Sequence, residues 1–118
     1  MQVSPTRFRV PDICILRRGA PADQIVRTAP LICIEILSPE DTLSRLDVKV
    51  EDYLRMGVEH VWVVNPASRV GWVCTAQGWN HPADHRFTVP GTDIYVSLDE
   101  TFRALDKAHR GGRPPSDA

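Results

Sequence analysis

The chain has 118 residues, 42% hydrophobic and 25% charged, with a formal net charge of -1, which suits one globular domain with a real core and excludes two. No global basic field advertises nucleic acid, although local clusters can do that work. No apolar run approaches the ~20 residues that span a bilayer, and the start, Met1-Gln-Val-Ser-Pro5, has no apolar h-region, so neither a membrane anchor nor a signal peptide is expected.

Residues 1–6 read as a short arm. From Arg7 to Arg18, Phe8 and Val10 lead in, and Pro11 suits the start of a strand or a bulge. Asp12, Cys14 and Leu16 share one face, and Ile13 and Ile15 the other. Gly19 to Asp23 is turn chemistry. Leu31 to Leu37 is apolar on both faces of a two-residue alternation and predicts a strand covered on both sides. Antiparallel pairing of these two strands is expected across the connection between them. Ser38-Pro39 ends the run. Asp41 and Thr42 are N-cap candidates, and Leu43, Leu46, Val50, Tyr53 and Leu54 recur at helical spacing up to Gly57, a stop signal. His60 to Ala67 is a second buried strand, closed by Asn65-Pro66. Strand, helix and strand of these lengths predict a crossover to a parallel neighbour. Val70 to Thr75 reads as a further strand, Gln77 to Asn80 as a turn, His85 to Val89 as a weak strand, and Ile94, Val96 and Leu98 as a last short one. Ser97-Leu-Asp-Glu100 is a capping-box pattern opening a short helix through Phe102 and Leu105. The domain is expected over residues 1–109, with a disordered tail at 110–118.

The three cysteines, Cys14, Cys33 and Cys74, are odd in number, and each sits in an apolar segment. That favours reduced core thiols and a cytoplasmic home.

Glu35 sits in the middle of the most apolar strand. A carboxylate is almost never fully buried unless it is paired or binds a metal. One antiparallel register sets Asp12 opposite Glu35 and Cys14 opposite Cys33. Two carboxylates brought together repel unless a cation lies between them. Oxygen ligands of this type suit Mg2+ or Mn2+. The structural alternative is Asp12 in water at a strand end and Glu35 paired with an arginine. Lys49 sits on the edge of the helix's apolar stripe, one turn before Tyr53. On spacing alone it reads as a lysine with its stem on the core and its head in water, with Asp52 as an i+3 partner. His81, Asp84 and His85 could hold a metal, but no further ligand lies at zinc spacing. Trp62, Trp72 and Trp79 read as core or interface residues rather than base-stacking platforms. No serine sits in a nucleophile elbow and no glycine-rich loop cradles phosphate.

Pro11-Asp12 at a strand, Leu31-Ile-Cys-Ile-Glu35-Ile-Leu-Ser38-Pro39, Lys49-Val-Glu-Asp-Tyr53, Gly57-Val58 and Val61-Trp-Val-Val-Asn-Pro66 follow one another in this order. Together they resemble the Uma family of restriction endonucleases, a branch of the PD-(D/E)xK nuclease superfamily. The likeness covers about residues 8–80, and more loosely Pro90 to Leu105. It implies an α/β fold, a restriction-endonuclease-like mixed central sheet flanked by helices. It implies that Asp12 and Glu35 bind a divalent metal, Mg2+ or Mn2+, with the Ile36 carbonyl completing its shell. Leu37 occupies the superfamily's usual lysine position, and the family's use of a lysine from the following helix points to Lys49. The implied substrate is DNA, with Arg7, Arg9, Arg17 and Arg18 as candidate phosphate contacts. The family usually carries a helix and strands ahead of the Pro-Asp strand, whereas ten residues precede Pro11 here. An uncovered sheet edge invites pairing with another chain, so a homodimer is expected, with a fragment or a degenerate copy as the alternatives. The expected activity is Mg2+-dependent endonucleolytic hydrolysis of DNA. The rival is a catalytically inactive protein that keeps the nuclease fold for dimerisation or DNA binding.

Overall fold

The computed structural model describes residues 1–5, 7–8, 11–19 and 28–111. Among them the strands are β1 (Gln2–Ser4), β2 (Arg7–Phe8), β3 (Ile13–Ile15), β4 (Ile32–Ile36), β5 (His60–Asn65), β6 (Val70–Thr75), β7 (Gly78–Asn80), β8 (Arg86–Thr88) and β9 (Tyr95–Ser97). The helices are α1 (Leu43–Met56) and α2 (Leu98–Gly111). A five-stranded mixed sheet runs β3-β4-β5-β6-β7, with β1-β2 and β8-β9 as separate two-stranded ribbons.

The register of the sheet places the site. β3 pairs antiparallel with β4, Cys14 opposite Cys33, as the sequence predicts. β4 pairs parallel with β5, Glu35 opposite Val63, and α1 is the crossover between them. β6 and β7 complete the sheet by antiparallel pairing.

The alternation along β4 and β5 builds two cores. Ile32, Ile34, Trp62 and Val64 face Phe87, Leu98 and Phe102. Cys33, Val61 and Val63 face Leu46, Val50 and Tyr53 of α1. Each such apolar side chain contributes about 1.5–3 kcal/mol on full burial. Trp62 stacks on Phe87 with ring centroids 4.7 Å apart, a core role as expected. The ends of α1 follow the sequence closely. The Thr42 hydroxyl accepts from the Arg45 N–H at 3.3 Å. Gly57, at φ 106°, closes the helix and donates its N–H to the Leu54 carbonyl at 3.1 Å.

Several expectations are corrected. Pro11 stands just ahead of a strand rather than at a bulge within one: β2 joins β1, and β3 begins at Ile13, after Pro11, which has no N–H to give a ladder. Cys14 is exposed rather than a core thiol, while Cys33 and Cys74 are buried. The reason is that β3 is the edge of the sheet. Gln77 to Asn80 is not all turn, because Gly78–Asn80 forms β7. There Trp79 pairs with Cys74 and lies 6.1 Å from Trp72, ring to ring; an aromatic on a pleated surface outweighs its neighbours' turn preference. Leu98 opens α2 instead of ending a strand, with the Ser97 hydroxyl accepting from the Glu100 N–H at 3.2 Å. That helix runs on to Gly111. Arg9, the Ala20–Arg27 part of the β3–β4 connection and residues 112–118 of the expected tail lie outside the described residues.

Candidate active site

Glu35 is fourth in β4, on the face that α1 covers, and is 1% exposed. Three groups make that burial tolerable. The Lys49 ammonium lies 2.8 Å from Oε1. The Tyr53 hydroxyl donates to the same oxygen at 3.0 Å. The Asp12 backbone N–H donates to Oε2 at 3.1 Å. Lys49 and Tyr53 are one helical turn apart and so share a face of α1. The arginine partner considered for Glu35 is therefore replaced by this lysine. Lys49 in turn bonds the strand rather than standing free in water, with its side chain 33% exposed.

Asp12 lies just outside β3, one residue beyond the last ladder pair, Ile13 with Ile34. Its exposed carboxylate accepts the Ile36 N–H on Oδ2 at 2.7 Å. The two acidic residues thus clasp their strands reciprocally. Asp12 gives its N–H to the Glu35 side chain, and its own side chain takes the N–H of the residue after Glu35.

These groups border a cleft of about 600 Å³ whose wall includes Asp12, Glu35, Ile36, Asp41, Arg45 and Lys49. Asp41 shapes the loop into α1: its Oδ2 accepts the Ser38 N–H at 2.9 Å and the Ser38 hydroxyl at 3.1 Å. Those two bonds, backbone first, hold its pKa below the usual 3.8. Behind the site, burial pushes the Cys33 thiol up to about 12, with its neighbours Cys14 and Glu35 adding to the rise.

Sequence reasoning missed Arg45 and the hydroxyl of Tyr53. The signal was there, because Arg45, Lys49 and Tyr53 recur every four residues along one helix face. The arginines it chose fare differently. Arg17 is bound to Glu59 at 2.8 Å and to the Ala29 carbonyl at 3.3 Å. Antiparallel pairing carries it and Arg18 toward the start of β4, away from Glu35. The side chains of Arg7 and Arg9 lie outside the described residues. His81 and His85 go separate ways: His81 Nδ1 lies 2.9 Å from the Gly71 carbonyl and His85 Nδ1 2.8 Å from Asp99 Oδ1.

A divalent cation is the group this fold implies. Among the described residues no three His, Cys, Asp or Glu side chains gather to hold one. Two carboxylates at the edge of an open cleft do converge, and Asp12 Oδ1 has no partner among the described residues. With the Ile36 carbonyl this is an all-oxygen donor set, of the kind that suits Mg2+ or Mn2+ with water completing the shell. The donor chemistry fits the ion.

Comparison with known proteins bears on the family and the fold. A search of curated protein sequences returns no match. A crystal structure described as a "putative nuclease belonging to DUF820 from Anabaena variabilis ATCC 29413" superposes with a TM-score of 0.64 at 23% identity. The superposition covers 82% of this chain and 61% of that one, so this chain spans about three fifths of the protein it matches. A family model described as "Uma2: Putative restriction endonuclease" matches residues 1–109. The fold is the one that structure carries, and the chain belongs to the Uma2 family.

Proposed function

We propose that the chain hydrolyses DNA phosphodiester bonds with the help of Mg2+, or Mn2+ in its place, in the cleft between α1 and the β3–β4 seam. The observation that carries this reading is the convergence of Asp12 beside β3, Glu35 in β4 and Lys49 in α1 on one cleft wall. Asp12, Glu35 and the Ile36 carbonyl would hold the ion. When bound, it supplies Lewis-acid polarisation of a phosphate oxygen and a more acidic attacking water. Lys49 orients that water and balances the charge that grows on the phosphate. Arg45, exposed on the cleft wall, steers the DNA backbone. A metal titration with plasmid nicking as the readout tests this. Wild type nicks with Mg2+ and Glu35→Ala does not; equal nicking by both removes Glu35 from the chemistry. Wild type that binds DNA but nicks with neither metal establishes the rival, a non-catalytic nuclease fold.

A homodimer belongs to the same reading. Among the described residues β3 is an edge strand, and Ile13, Ile15 and Leu16 are 45%, 38% and 42% exposed, an apolar edge of the kind that pairs with another chain. Light scattering at the 13.2 kDa monomer mass at tens of micromolar would exclude it. The three free thiols support a reducing, cytoplasmic setting. Among the described residues no helix is long and apolar enough to cross a membrane.

A further inference from the structure

One oxygen of Glu35 takes two donors that differ in freedom. Lys49 comes from the helix edge, a third exposed, with its ammonium on the cleft wall. Tyr53 comes from inside and is 0% exposed, packed in the cluster that holds Val50, Val58, Val61 and Val63. A lysine stem is flexible and has the cleft to move into; a ring in a close-packed core has not.

The difference matters because Glu35 is buried. A buried carboxylate stripped of its sole partner is strongly destabilised, so a lysine acting as sole partner would be pinned to it. Here it is not the sole partner. With Lys49 gone, Oε1 still accepts from Tyr53 and Oε2 from the Asp12 N–H, leaving a donor on each oxygen.

We propose that Tyr53 is a positioning residue whose hydroxyl keeps Glu35 in place while Lys49 swings off the carboxylate to the scissile phosphate and its attacking water. This rests on the nuclease reading of the cleft. Tyr53 touches no substrate and acts only by setting how firmly Lys49 is held.

The test is Tyr53→Phe, which removes the hydroxyl and keeps the ring. On supercoiled plasmid with Mg2+, kcat should fall about tenfold while KM for DNA stays within about twofold. In a Lys49→Met background the same change should alter the residual rate by less than about twofold, since no lysine remains to be released. An equal loss in both backgrounds means a structural role and overturns the proposal. A second readout needs neither metal nor DNA: acetylation of Lys49 by N-acetoxysuccinimide, followed by peptide mass spectrometry. Tyr53→Phe should slow it severalfold, because the lysine is then paired more firmly; an unchanged or faster rate overturns the proposal. If Tyr53→Phe folds poorly, replacing both tyrosines of the chain with 3-fluorotyrosine strengthens the donor. The other, Tyr95, is 52% exposed. Acetylation should then speed up, and no change counts against the proposal. Wild type that nicks plasmid while Tyr53→Phe matches it in every readout sinks the proposal alone. Wild type that never nicks, with Mg2+ or Mn2+, sinks the nuclease reading and the proposal together.

Discussion

Lys49 Nζ and Glu35 Oε1 lie 2.8 Å apart across the boundary between core and cleft, one partner a third exposed and the other almost wholly buried. Removing one member of a fully buried pair costs about 3–5 kcal/mol. Solvent reaches Lys49, and Glu35 keeps the Tyr53 and Asp12 donors, so Lys49→Met should cost less, about 1–3 kcal/mol. Urea unfolding measures it. Glu35→Gln combined with Lys49→Met should recover most of the loss, because no unpaired buried charge then remains.

Asp12 has two roles that one substitution can separate. Asp12→Asn keeps an oxygen for the Ile36 N–H but loses the charge. It should melt near wild type without metal and show no rise with Mg2+. Asp12→Ala should lose both the metal response and about 1 kcal/mol of stability. Wild type at ten times its Mg2+ Kd should gain about 1.4 kcal/mol. Thermal melts of the three proteins with and without metal decide it, and an Asp12→Asn protein that still responds to Mg2+ would take Asp12 out of the site.

Gly71 in β6 faces the far core. A Cβ there would stand 2.8 Å from Phe87 Cζ and 2.9 Å from Leu98 Cδ1. Gly71→Ala should therefore destabilise by about 1–3 kcal/mol through overpacking, although alanine fits a strand better than glycine. A melt at or above the wild-type temperature would show that Phe87 and Leu98 give way freely.

The three thiols should behave as one plus two. Cys14 is exposed and Cys33 and Cys74 are buried, so native protein at pH 8 should take up one equivalent of iodoacetamide quickly and two more only after denaturation. Burial raises both buried thiols from 9.0 to about 12. The fold favours their neutral forms. The stability they contribute is fully present below pH 9.0 and is lost as the pH rises through about 12. Unfolding curves taken at increasing pH should weaken over that window. Replacing both cysteines with alanine should flatten the decline.

What could be read from the chain was what local pattern encodes. The Leu31–Leu37 alternation revealed a strand buried on both faces. Thr42 and Gly57 marked the ends of α1, and the Cys14–Cys33 register followed from pairing two acids. What could not be read depended on distant partners. Cys14 looks as apolar in context as Cys33, but β3 has a neighbour on one side and β4 on both. Lys49 has Asp52 close along the helix, yet bonds Glu35, the carboxylate that burial leaves most in need of a donor. Arg17 looked suited to phosphate because it is basic and near Asp12 in sequence. An antiparallel strand turns that nearness into opposite ends. The hydroxyl of Tyr53 was hidden by its ring, which alone satisfied the apolar pattern.

The reciprocal clasp at Asp12 and Glu35 means that the seam between β3 and β4 is sewn, past its last ladder pair, by the same atoms that would face the substrate. On the proposed function, chemistry and architecture are inherited together. A copy without DNA cleavage would still be under pressure to retain both acids, since losing either would loosen the seam as well as the metal site. Retained acids would then mark an intact seam in active and silent copies alike, and Arg45, which lies outside the clasp, would be free to drift once cutting ceased.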